Sequence, residues 1–261
     1  MPLKEAARKM PSTNKKSGTQ AGPAPKYKRV LLKLSGESFC KPGGFGINPD
    51  ELASIASEIR DAAALGSQIA VVVGGGNIIR GAQLAEAGHI HQATADHMGM
   101  LGTVINALAL KEKLKDLGRE CRVMSAIEIR AVAEPFIRGR ALRHMEKGRV
   151  VILAAGTGNP FFTTDTCAAL RATELECEIL LKATKVDGVY TADPKKDPTA
   201  KRFDTLSFAD ALARKLKIMD MTALAMCQEH EIPVLVFDFN RPGNIARVIR
   251  GESIGTLVTV R

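Results

Sequence analysis

Residues suited to holding an anion stand together at 154–166, AAGTGNPFFTTDT. Gly156 and Gly158 let backbone approach a ligand closely, Pro160 stiffens the turn, and Thr163 and Thr164 add hydroxyls. A second such loop is GGGN at 74–77, which fits neither the Walker pattern nor the dinucleotide fingerprint. Three consecutive glycines cost backbone entropy, so close approach to a phosphate explains Gly74, Gly75 and Gly76 better than a tight turn alone. Arg80 either closes over a phosphate bidentately or is a solvated helix charge. Lys33 sits near the end of the apolar run VLLKLS, just before Gly36. A lysine there needs a partner for its charge, so it is expected to project into a polar cleft; the plainer alternative is an edge-strand lysine reaching solvent.

The flanking elements place these residues. RVVILAA, before the first loop, reads as a buried parallel strand, and CAALRATELE, after it, has helical spacing. The loop therefore lies at the carboxyl end of a strand and the start of a helix, where open α/β sheets bind ligands and free N–H groups favour phosphate. The GTG triplet is not a dinucleotide fingerprint, because Phe161 stands where its third small residue belongs. Asp165 reads equally as a helix N-cap and as a functional carboxylate, and the two roles are compatible.

Elsewhere, residues 49–65 have helical spacing and IAVVV is the strand leading into GGGN. Residues 96–117 read as a helix apolar nearly all round in its first half and amphipathic in its second, hence buried against the sheet or another subunit. His91 and His97 lack a third ligand at suitable spacing for a metal. A strand at 122–124 precedes a variable basic region, and a strand at 178–182 carries another inward lysine, Lys182. Tyr190, among turns, is suited to cover a base ring; helices are expected at 210–215, 220–230 and 243–250, with strands at PVLVFD and GTLVTV. Strands alternating with helices imply an α/β fold, a mainly parallel sheet with helices on both faces.

Composition narrows the class. A hydrophobic content of 45% over 261 residues suits a globular core, and no run of eighteen apolar residues is present to span a membrane. The five cysteines are odd in number and well separated, which points away from a disulfide framework or zinc site and towards a reducing cytoplasm. The net charge of +9 is uneven: residues 1–29 carry +7 and the remainder +2. The basic signal therefore belongs to a tail that reads as disordered, and a nucleic-acid partner is not expected for the folded part.

Taken together, KLSGE, VVVGGGNIIRG, DHMG, AAGTGNPFFTTD and LLKATKVDGVYTADP, in this order within 27–260, resemble the bacterial-type uridylate kinases of the amino acid kinase family. The resemblance implies a three-layer αβα sandwich that transfers the ATP γ-phosphate to UMP with Mg²⁺, in the cytoplasm, as a homohexamer serving pyrimidine nucleotide synthesis. It implies a tail at 1–26 and one domain at 27–261, with a UMP and oligomerisation lobe at 27–175 and an ATP lobe at 176–261. Carried over by position, Lys33, Leu34, Ser35, Gly36, Gly76, Arg80, Thr184, Tyr190 and Asp193 belong to the ATP side. Gly75, Asp96, Thr157, Gly158, Asn159, Pro160, Phe161, Phe162, Thr163 and Thr164 belong to the UMP side. The implied catalytic group is Lys33, Asp165, Lys182 and Asp220: the lysines offset charge on the transferring phosphoryl and Asp165 holds them. The resemblance also implies GTP activation and UTP inhibition, with Arg122 and Arg149 as cations for GTP between subunits. The chain has no tryptophan to stack on guanine, and Arg138 stands in the matching region, so a GTP-binding pocket with weak or no activation is expected.

Overall fold

Apolar β-branched runs become strands buried on both faces. β1 (Arg29–Leu34), β2 (Gln68–Val73), β5 (Val150–Ala154) and β6 (Ile179–Thr184) lie at the centre of the sheet, where parallel neighbours require covering on both sides. The structure, a computed structural model, describes residues 24–80, 88, 90–194 and 196–260. Residues 1–23 of the expected tail lie outside these.

With β3 (Cys121–Ser125), β4 (Glu134–Pro135), β7 (Thr205–Ser207), β8 (Val234–Asp238) and β9 (Thr256–Thr259), the sheet runs β4-β3-β5-β2-β1-β6-β8-β9-β7. Every pairing is parallel except β8 with β9. Helices α1 (Pro49–Ala64), α2 (Gln92–Asp116) and α7 (Asn244–Ile249) cover one face, packing Ile59, Leu110 and Ile245 into its core. Helices α3 (Arg138–Glu146), α4 (Thr164–Glu174), α5 (Phe208–Ala213) and α6 (Met221–Glu229) cover the other, with Met145, Ala168, Phe208 and Leu224 inside. The three-layer αβα expectation holds.

Several local expectations change. Helix α2 begins one turn before residue 96, because Gln92 to Ala95 continue the helix and His91 caps it without a side-chain bond that a sequence could advertise. The chain after β1 opens with a 3-10 turn (Gly36–Phe39), pinned by the fully buried Phe39. The basic region after β3 contains α3, whose only buried residues are Ala141 and Met145, too sparse a stripe to read. β4 and β7 are too short to carry a period. The five cysteines are all free and buried, and burial pushes the Cys167 thiol up to about 11 and those of Cys177 and Cys227 up to about 12. Among the described residues no helix is long and apolar enough to cross a membrane.

Candidate functional site

Alternation along β1 sends Val30, Leu32 and Leu34 to the α1–α2 face and Leu31 to the α4 face, so Lys33 also points towards α4. β6 does the same with Leu180 and Lys182. In the parallel register Lys33 is opposite Lys182, which sets two cations side by side on neighbouring strands. Both reach the first turn of α4: Lys33 Nζ is 2.9 Å from Asp165 Oδ1, and Lys182 Nζ is 2.7 Å from Oδ2. Lys182 also donates to the Ile218 carbonyl.

Thr163, not Asp165, caps α4, accepting from the backbone of Asp165 and Thr166 at 3.0 and 3.2 Å. The capping expectation for Asp165 is corrected, and the reason is positional: a residue inside the first turn aims its side chain outward, which frees Asp165 for the lysines. Burial alone would raise its carboxyl, but Lys33 and then Lys182 outweigh that and hold it below the usual carboxylate range. For Lys182, burial is the largest effect and Lys33 adds to it; together they outweigh the pull of Asp165 and lower its ammonium. The trio therefore carries one net positive charge in a sheltered place, suited to an incoming anion.

Asp220 caps α6, accepting from the Ala223 N–H at 2.9 Å. It also receives the Thr163 hydroxyl and, at 3.0 Å, the Thr166 hydroxyl. It thus joins the starts of two helices beside the lysines, and its charge acts on Lys182.

Two cavities flank the trio. One, of about 340 Å³, is lined by Lys33, Ser35, Gly36, Gly75, Gly76, Asp96, Phe162, Thr163 and Thr164. It gathers five of the ten expected UMP-side residues with the β1-end residues assigned to ATP. The other, of about 410 Å³, is lined by Lys182, Thr184, Tyr190, Asp193, Lys215, Lys217 and Ile218. The expected ATP-side residues are thus divided between the two, with Lys33 and Lys182 facing one each.

Around the first cavity the backbone at Gly36, Gly74 and Gly75 is packed without room for side chains. A Cβ on Gly75 would lie 2.6 Å from the Gly99 carbonyl oxygen of α2, and one on Gly36 would lie 2.3 Å from the Gly76 nitrogen. Asp96 Oδ2 accepts from the Phe161 N–H at 2.8 Å and Oδ1 from Gln92 at 2.7 Å. Phe161 adopts φ 71° and is 74% exposed, a left-handed conformation that costs a bulky residue energy and that the Asp96 bond helps to hold. Thr157 and Asn159 close a turn on each other, and Gly158 and Pro160 complete it; none of these four lines the cavity. Arg80 pairs with Glu37 at 3.0 Å, and Leu34 is buried core.

Sequence reading passed over three polar residues that shape this cavity. Thr103, on α2, accepts the Ala155 N–H at 2.7 Å, while Asn106 and Asn77 form a buried amide pair beneath Gly74. Thr103 and Asn106 are polar side chains in a mostly apolar stretch of helix, and Asn77 closes the GGGN loop. Apart from the trio, Arg122 lines a third cavity of about 450 Å³ with Lys111, Arg130 and Glu134. Arg149 lies alongside, bonded to Glu120 and His144, and His144 contacts Glu134. Arg138 does not join them; it binds Glu176 and the Glu174 carbonyl.

The amino acid kinase family model matches residues 28–238. A UMP kinase structure from Bacillus anthracis superposes with a TM-score of 0.87 at 42% identity, covering 90% of this chain and 96% of that one. A UMP kinase from Ureaplasma parvum gives 0.84 at 38%, covering 89% and 98%. A uridylate kinase from Archaeoglobus fulgidus gives 0.67 at 28%, covering 88% and 99%.

Proposed function

The chain belongs to the amino acid kinase family, and from that premise we propose that it is a UMP kinase of the bacterial type, transferring the γ-phosphate of ATP to UMP. The observation that carries this is the pair Lys33 and Lys182, in register on adjacent strands and bridged by Asp165 between two cavities. A phosphate oxygen of UMP attacks the γ-phosphorus, the bond to the β-γ bridging oxygen breaks, and ADP leaves with that electron pair. Little covalent help is needed; positioning and charge neutralisation supply the rate. Lys33 and Lys182 stand where charge accumulates on the transferring group, and Asp165 keeps the two ammonium groups from separating before substrate arrives.

The 340 Å³ cavity, with its glycine backbone, Asp96 and the threonines at the start of α4, suits the nucleoside monophosphate. A carboxylate at Asp96 suits ribose hydroxyls. The 410 Å³ cavity with Tyr190 suits the base of ATP, its phosphates reaching Lys182 and the Gly36 and Gly76 backbone. Mg²⁺ would enter as a companion of ATP: Asp165 is taken by lysines and Asp220 by three donors, so phosphate oxygens and water would hold the ion. When bound it neutralises phosphate charge. A carboxylate or carbamate kinase would not need Asp96 or the NPFFTT loop.

The finer expectations rest on the family. Homohexamer formation is supported by Leu101 and Ile105, exposed and apolar on α2, and GTP binding by the Arg122 cavity. UTP inhibition and a cytoplasmic, pyrimidine-synthetic role complete the proposal. Consumption of ATP measured in parallel with UMP, CMP, dUMP, acetylglutamate, aspartate and carbamate tests it: turnover with UMP foremost is expected, and turnover only with a carboxylate or carbamate would overturn it.

A further inference from the structure

We propose that Asn106, held in place by Asn77, is a positioning residue that sets the direction of the Gly75 N–H towards the acceptor phosphate; this deepens the UMP kinase reading and rests on it. Both side chains are essentially unexposed, at 0% and 1%. Asn106 Nδ2 donates to the Gly74 carbonyl at 2.8 Å and to Asn77 Oδ1 at 2.6 Å. Asn77 Nδ2 returns a bond to Asn106 Oδ1 at 3.1 Å and donates to the Gly46 carbonyl at 2.7 Å. All four amide N–H bonds are used, and turning either amide over would face oxygen to oxygen.

The consequence reaches the cavity through peptide planarity. In a trans peptide the C=O of Gly74 and the N–H of Gly75 point in opposite directions, so fixing the carbonyl on Asn106, inside the protein, turns the N–H away from it. Gly74, Gly75 and Gly76 line the cavity with Lys33. Glycine by itself leaves this peptide free to rotate, and the packing of Gly75 on Gly99 limits its place without choosing its orientation. The buried amide pair makes that choice, and it does so from α2, the same helix that carries Asp96 and Thr103.

The test uses the whole protein with Asn106→Leu, close in size and unable to bond. Kinetics with UMP and ATP are measured together with amide hydrogen exchange over residues 74–79 in the absence of substrate. The expected result is faster exchange in that segment and a rise of about tenfold or more in KM for UMP, with KM for ATP within about twofold. Unchanged exchange, or a fall in kcat at unaltered KM for both substrates, overturns the proposal. Should Asn106→Leu not fold, Asn106→Asp decides. A buried carboxyl donates only when protonated, so its kcat/KM for UMP relative to wild type should recover as pH falls from about 8 to about 6; a ratio flat with pH overturns the proposal. A wild-type enzyme inert towards UMP would overturn the functional reading, and the exchange measurement would still judge the role of Asn106.

Discussion

The two cavities beside the lysine pair are built in opposite ways. The one proposed for UMP is walled by backbone against backbone, with Gly36, Gly74 and Gly75 at distances that exclude a Cβ, and tied to α2 by Asp96, Thr103 and Asn106. The one proposed for ATP is bounded by β6 and residues 186–194, held by partly exposed side chains: Tyr190 to Asp187 at 2.7 Å and Arg202 to Asp187 at 3.2 Å. Close-packed backbone has few ways to yield, whereas exposed polar pairs are weak and exchange readily with water. The acceptor side should therefore respond sharply to small steric changes, and the donor side mildly.

The largest expected effect removes what both sides share. Asp165→Asn leaves two sheltered lysines without a counter-charge, which should cost about 3–5 kcal/mol in a denaturant titration and reduce kcat by on the order of 10³-fold. The same carboxyl gives a pH signature. Its folded value lies below its unfolded one, so the stability it contributes is present above about pH 4 and lost as pH falls through the folded value. The wild type should lose stability there more steeply than Asp165→Asn, and parallel curves would remove the ion pair from the account.

Next comes Lys33→Met, expected to lower kcat by about 10²–10³-fold with KM for UMP little changed, because its charge is felt mainly in the transition state. Near-normal turnover in folded protein would exclude it from the chemistry. Within the first cavity, neighbouring glycines then separate rigid wall from ligand-facing backbone. Gly75→Ala drives a Cβ to 2.6 Å from Gly99 O and 2.9 Å from Thr103 N, so both thermal stability and UMP affinity should fall. At Gly76 a Cβ meets nothing within 4 Å, so Gly76→Ala should keep the wild-type melting temperature and weaken nucleotide binding alone. Equal melting losses in the two variants would break the contrast between rigid wall and ligand-facing backbone. The smallest effect is Tyr190→Phe, which removes one hydrogen bond on the donor side and should raise KM for ATP only a few-fold, in line with about 0.5–1.5 kcal/mol for such a bond. A larger change in KM for UMP than for ATP would reverse the assignment of the cavities.

What was legible in the sequence was whatever repeats or stands out locally. Apolar runs of five or six residues gave the central strands, and a lysine inside two of them signalled the site, since a charge in such a run must have a partner. The glycine loops were legible for the same reason. Asp165 was ambiguous because cap and first-turn positions differ by two residues, and only the Thr163 bonds decide between them. Thr103 and Asn106 were hidden because their partners are backbone atoms of loops far along the chain, and no residue type announces a carbonyl it must hold. α3 was missed because its buried stripe is two residues long.

The register of Lys33 with Lys182 has a consequence for how the protein is made. β1 lies between β2, which leaves the ribosome soon after it, and β6, which follows only after most of the chain. At translation rates of roughly 5–20 residues per second, one edge of the central strand waits on the order of ten seconds for its neighbour. Through that interval the nascent sheet offers an open row of backbone donors and acceptors on the β6 side of β1, with the Lys33 ammonium beside it. A charge at such a position works against another chain adding to that edge before β6 arrives.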